Sequence, residues 1–172
     1  KAGKIGGEQL TMTQFPIYGT CTTHCEDKTI TCSAASGTAI ASGHKTYYSR
    51  LGCDKDFNPL KSMAFPLKEE GYKIGILSTV PVNHATPAAF YASTPDRGDG
   101  YGIMMQIPDS GFDFFAGSGF EDMFGKDGQQ IGADNYLEQH GYEVCFGPEE
   151  FLAAADTCDR IVFCQESGRA DD

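Results

Sequence analysis

The chain has 172 residues, 40% of them apolar and 22% charged, enough for one domain with its own core. Thirteen basic against 24 acidic side chains give a formal net charge of −11, which argues against nucleic acid or an anionic membrane surface as the main partner. No apolar run approaches the roughly 18 residues of a membrane span, and an anionic substrate would have to be drawn in by a local positive group rather than by the overall field.

In chain order, residues 1–14 are polar and Gly-rich. Phe15 to Thr23 and Thr29 to Thr31 are predicted as extended segments around a loop rich in Cys, His and Asp. Small residues then fill nearly every place between Ser33 and Gly43, predicting a helix ended by glycine. Such a helix lets another backbone, or a ligand, come close. A serine at a strand-to-helix turn presents its hydroxyl where free N–H groups and the helix dipole favour anions. Ser33 therefore reads as a nucleophile aimed at a phosphate-like group. Tight packing of a small-residue helix with Ser as a cap is the competing reading.

Asn58 to Glu70 has helical spacing, with Pro66 predicting a kink or a late start. Lys73 to Val80 reads as a buried parallel strand and His84 to Ala92 as a helix with Pro87 in its first turn. Phe112 to Phe115 is a short strand followed by a glycine-rich turn. Ile131 to His140 is a helix, Tyr142 to Phe146 a strand, Pro148 to Ala155 a helix and Arg160 to Cys164 a strand. This alternation predicts an α/β layer fold with a mostly parallel sheet over residues 1–172.

Seven cysteines leave at least one unpaired within the chain. Cys21-Thr-Thr-His24-Cys25 has the look of half a zinc site, but no second cluster follows at suitable spacing. A disulfide among Cys21, Cys25, Cys53, Cys145, Cys158 and Cys164, or a set of buried free thiols, are both open.

Three segments resemble the alkaline phosphatase family. Cys32-Ser-Ala-Ala-Ser-Gly-Thr-Ala-Ile-Ala-Ser-Gly-His-Lys-Thr46 is similar to its nucleophile motif. Asn83-His-Ala-Thr-Pro-Ala-Ala-Phe90 is similar to the block holding its magnesium-side residues, and Arg97 stands where the family places its phosphate-clamping arginine. Lys73 to Thr79 and Asp113 to Phe120 extend the likeness. The resemblance implies a three-layer sandwich and a metal-dependent phosphate-monoester hydrolase. Ser33 would form the phosphoserine and be zinc-coordinated. Arg97 would hold two phosphate oxygens, Thr86 would ligate magnesium and His84 would lie just behind that ion. Two zinc ions and one magnesium ion in the complete enzyme, a homodimer and a periplasmic or secreted location are further implications.

Two departures stand out. Cys32 occupies the place of the family's usual Asp, which makes Cys32 a rival nucleophile. The tyrosine-phosphatase pattern, however, sets an arginine where Thr38 stands, and the sulfatase pattern puts Pro and Arg where Ala34 to Gly37 hold neither. The second departure is that the family's first metal-binding Asp and its later Asp, Glu and His ligands have no counterpart in the chain, which also starts with Lys rather than Met. The chain thus reads as the N-terminal half of such an enzyme without its first strand and its downstream metal-ligand half. In isolation it is expected to lack activity.

Overall fold

The computed structural model describes residues 11–17 and 19–168. Four short strands, β1 (Gly75–Leu77), β2 (Phe114–Gly117), β3 (Glu143–Phe146) and β4 (Ile161–Cys164), form one sheet in the order β1-β2-β4-β3. Every pairing is parallel, with Ile76 beside Phe115, Phe115 beside Val162 and Val144 beside Val162. The helices are α1 (Ser33–Ser42), α2 (Ala64–Glu69), α3 (Ala85–Ala88), α4 (Gly100–Met104), α5 (Ile107–Ser110), α6 (Ala133–Gln139) and α7 (Pro148–Ala154).

Strand alternation divides the apolar residues between two faces. Phe115, Val144, Phe146, Val162 and Cys164 join one cluster with Ala34 and Ala41 of α1, Ala85 and Ala88 of α3, Ile103 and Met104 of α4, and Leu137 of α6. Phe115 is its hub, in edge contact with Tyr91 at 5.2 Å and stacked on Phe112 at 6.3 Å. Burying a side chain of this size stabilises the fold by about 2–3 kcal/mol. Phe114, Cys145, Ile161 and Phe163 point the other way and meet Phe151 and Ala154 of α7. Helices therefore cover both faces, giving the three-layer α/β arrangement expected from the sequence.

Several elements differ from expectation. Phe15 to Thr23 and Thr29 to Thr31 form no strand among the described residues, and residue 18 lies outside them. Ile17 and Ile30 are 85% and 81% exposed. β-propensity expresses fit to a pleated, half-buried surface, and no neighbouring strand supplies one here. The helix anticipated over Asn58 to Glu70 starts late, at Ala64, so that Pro66 falls in the first turn, where a missing N–H costs nothing. His84 to Ala92 shrinks to the single turn of α3. Helices α4 and α5 lie where no element was anticipated. All seven cysteines are unpaired in the structure; Cys25, Cys53, Cys145 and Cys164 are buried, whereas Cys21 is exposed. Burial pushes the Cys145 thiol up to about 11 and the Cys164 thiol up to about 12.

Candidate active site

The site begins at the N-terminus of α1. Cys32 is extended (φ −123°, ψ 170°) and the helix starts at Ser33, so the turn expected there exists without a preceding strand. The hydroxyls of α1 divide sharply. Ser36 Oγ donates to Cys32 O at 2.8 Å, Thr38 Oγ1 to Ala34 O at 2.8 Å and Ser42 Oγ to Thr38 O at 2.7 Å. Thr38 Oγ1 also accepts the Gly52 N–H at 2.8 Å, tying the helix to the segment that follows it. These three are committed to backbone. Half-buried Ser33 alone keeps a hydroxyl with no hydrogen-bond partner among the described residues, at the end of the helix where N–H groups are free.

A second helix start stands beside it. The chain leaves the carboxyl end of β1, and His84 caps α3 by accepting the Thr86 N–H on Nδ1 at 3.3 Å. Helices α1 and α3 touch closely at Gly37. A Cβ there would lie 3.0 Å from Ala89 Cβ and 3.4 Å from the Thr86 carbonyl oxygen. The small-residue stripe thus packs one helix against the other, and that packing brings the two helix starts together. Thr86 is exposed and lines a cavity of about 250 Å³ with Ile76, Leu77, Ser78, Pro87 and Phe90. The carboxyl end of a parallel strand is the usual place for a ligand in such folds.

Arg97 arrives on the loop between α3 and α4. That loop is shaped by Asp96, whose carboxylate accepts the Gly98 N–H at 2.8 Å, and by Asp99, which caps α4 through the Gly102 N–H at 3.1 Å. Arg97 Nη2 lies 3.4 Å from His84 Nε2. With Nδ1 of His84 accepting the Thr86 N–H, the tautomer that fits carries its hydrogen on Nε2, and in that tautomer the guanidinium does not donate to the ring. Arg97 has no carboxylate partner among the described residues. In a chain this acidic, a half-buried guanidinium with no carboxylate partner can receive an anion.

Cys32 shows how positive this corner is. Burial pushes its thiol up, but the N–H groups of Ala35, Ser49 and Ala34, with the Arg97 charge, push it down further and leave it below the ordinary thiol value. Its Sγ accepts the Ser49 N–H at 3.1 Å. Of the two rival nucleophiles the thiol is thus engaged with backbone, and the Ser33 hydroxyl is not.

The donor set here is two hydroxyls, one imidazole already facing a guanidinium, and one thiol. It does not fit a zinc or magnesium cage, and no group of three or more His, Cys, Asp or Glu side chains converges anywhere among the described residues. At Cys21-Thr-Thr-His24-Cys25, His24 Nδ1 pairs with Cys25 O at 2.9 Å, and Cys25 Sγ donates to Asp27 Oδ1 at 3.4 Å. Asn83 entered the sequence reading only as the first residue of the Asn83-to-Phe90 block, with no role of its own. It is a fully buried amide next to His84, and its one advance signal is a polar residue in an otherwise apolar stretch.

A family model described as alkaline phosphatase matches residues 1–121, a span that includes Ser33, His84, Thr86 and Arg97. The chain belongs to the alkaline phosphatase family. Alkaline phosphatase 4 of Bacillus subtilis (strain 168) is 41% identical over 90 residues, 50% of this chain and 20% of that protein. Alkaline phosphatase 4 of Drosophila melanogaster is 36% identical over 97 residues, 52% of this chain and 16% of that protein. Among solved structures, alkaline phosphatase from the Antarctic bacterium TAB5 superposes with a TM-score of 0.81 at 26% identity, covering 99% of this chain and 50% of that one. Thermus thermophilus alkaline phosphatase gives a TM-score of 0.75 at 30% identity, covering 98% and 36%. A single-residue variant of the TAB5 protein has Mg bound in its M3 site. The chain therefore spans about half the length of its TAB5 neighbour and about a fifth of its Bacillus relative.

Proposed function

We propose that the protein carrying this chain is a phosphate-monoester hydrolase with Ser33 as nucleophile and Arg97 as the phosphate clamp. One observation carries this reading. Ser33 keeps the single uncommitted hydroxyl of α1, at a helix N-terminus whose neighbouring Cys32 thiol feels the charge of Arg97, an arginine with no carboxylate partner among the described residues. In the proposed step Ser33 Oγ forms a bond to phosphorus as the bond to the ester oxygen breaks. The Ser33 proton passes to solvent water, and the leaving alcohol takes one up from solvent. Water then cleaves the phosphoserine to release inorganic phosphate. Arg97 offers a planar fork to two non-bridging oxygens, and the N–H groups of α1 face the same charge. Positioning and charge stabilisation are the main demands of phosphoryl transfer.

The family resemblance implies two zinc ions and one magnesium ion for the whole protein, and the chemistry they would supply is charge stabilisation of the phosphoryl transfer. Ser33 and Thr86 would offer hydroxyls to them, but their cage is not formed by the described residues. In this reading the residues that complete the cage are supplied from outside the described residues, and little or no turnover is expected of the 172-residue chain by itself.

The test is competitive turnover by the longest gene product, supplied with zinc and magnesium, of p-nitrophenyl phosphate, bis-p-nitrophenyl phosphate and p-nitrophenyl sulfate. Preference for the monoester, lost in Ser33→Ala and retained in Cys32→Ala, supports the reading. Preference for the diester or the sulfate ester, or loss only in Cys32→Ala, contradicts it.

A further inference from the structure

Arg97 can serve a phosphate only if its loop is held in register with Ser33 and the α3 start, yet the guanidinium itself has no carboxylate to fix it. The restraint has to come through the backbone. Upstream, Thr94 exchanges two backbone hydrogen bonds with Leu51, at 2.8 and 3.1 Å. Downstream, the anchor is Gly100, and what holds Gly100 is Asn83.

Asn83 has no solvent exposure, and its amide is used at three points. Nδ2 donates to Gly100 O at 2.8 Å and to Glu121 O at 2.8 Å, while Oδ1 accepts the Glu121 N–H at 2.8 Å. Two carbonyls on one side and an N–H on the other admit only this orientation of the amide. Three separate pieces of chain meet on one side chain: the turn into His84 and Thr86, the end of the Arg97 loop, and the segment after β2. Their closeness is visible at Gly100, where a Cβ would lie 3.1 Å from Glu121 Cβ and 3.2 Å from the Glu121 carbonyl oxygen.

We infer that Asn83 is a positioning residue for phosphate binding, setting the Arg97 loop against the α3 start by cross-bracing Gly100 and Glu121. The inference rests on the proposed role of Arg97. Truncating Asn83 strands the buried Gly100 carbonyl and the part-buried carbonyl and N–H of Glu121, which are costly to leave unpaired. The loops relieve that cost by moving apart, which carries Arg97 out of place. Displacements of about 1 Å in a positioned group are enough to lower activity by up to about a hundredfold.

The experiment measures the inhibition constant of inorganic phosphate against p-nitrophenyl phosphate turnover, together with the melting temperature, in the full-length protein. Asn83→Ala is compared with Leu137→Ala, a fully buried change in α6 that lowers stability and lies outside the Asn83 hydrogen bonds to Gly100 and Glu121. The expected result is a phosphate inhibition constant raised about tenfold or more in Asn83→Ala. Leu137→Ala, with a similar drop in melting temperature, stays within about twofold of the parent protein. An unchanged constant in Asn83→Ala, or equal rises in both variants, overturns the inference. If Asn83→Ala does not fold, Asn83→Ser is measured in its place under the same criterion. Failure of the unmodified protein to hydrolyse the monoester or bind phosphate is scored before any variant is made, and overturns the phosphatase reading and this inference together.

Discussion

The two faces of the sheet are built to different standards. On one, Phe112, Phe115, Ile103, Met104 and Leu137 are all fully buried among helices α1 to α6. On the other, α7 is the one covering helix among the described residues; Phe114, Phe151 and Phe163 are half-buried, and Leu77 and Leu152 are 67% and 71% exposed. Ser33, His84, Thr86 and Arg97 all belong to the tightly packed side. Chemistry that depends on placing a hydroxyl and a guanidinium around one phosphorus needs elements that cannot slide. Gly37 and Asn83 supply that rigidity at the points where the site's elements touch.

The contrast can be broken at its functional end by Arg97→Lys. Lysine keeps the charge but loses the fork, and kcat/KM for a phosphate monoester is expected to fall about a hundredfold, or about 3 kcal/mol of transition-state stabilisation. Steady-state kinetics on the full-length protein reads this directly. Gly37→Val attacks the packed side itself. Its side chain meets Ala89 and the Thr86 carbonyl, and overpacking of this kind is expected to cost about 2–3 kcal/mol in urea unfolding. The same substitution should reduce activity, because it pries α1 from α3.

Asp113 marks where the two sides are joined. Its carboxylate takes Lys68 at 2.6 Å, Lys73 at 3.0 Å and the Ile74 N–H at 2.9 Å. Partial burial pushes its pKa up, but the Lys68 contact, the Ile74 N–H and Lys73 outweigh it and hold the group at about 2, against an ordinary 3.8. A carboxyl held below its unfolded value stabilises the fold above that value and loses the benefit as pH falls towards 2. Asp113→Asn is thus expected to cost about 1–2 kcal/mol at neutral pH, after allowance for solvent screening, and almost nothing at pH 2. Thermal melts of both proteins across pH 2–7 check the convergence. At the lenient end, Leu152→Glu on the exposed side of α7 should shift stability by no more than about 0.5 kcal/mol.

The layered α/β fold was legible in the sequence because four apolar runs alternate with helical spacing. The limits of those runs were less so. The strand read at Phe112 to Phe115 lies at Phe114–Gly117. Phe112 instead packs with Phe65 and Phe115, and Gly117 has weak β-propensity. Its place is set by Val80, whose carbonyl oxygen would lie 2.6 Å from any Cβ there. Thr29 to Thr31 misled for the opposite reason, with strong propensity and no adjacent strand. Ser33 was singled out by the strand-to-helix pattern, and His84, Thr86 and Arg97 were named as site candidates through family resemblance. Asn83 was not, because its role is defined by Gly100 and Glu121, far along the chain. Nor was the division among the α1 hydroxyls, which depends on backbone bonds that composition does not encode.

The most direct test of the central claim is to incubate the full-length protein, with zinc and magnesium, with labelled inorganic phosphate at low pH and map the label by peptide mass spectrometry. The account expects a phosphoester on Ser33. Label on Cys32, or on no residue of α1 while the protein turns over a monoester, would contradict it.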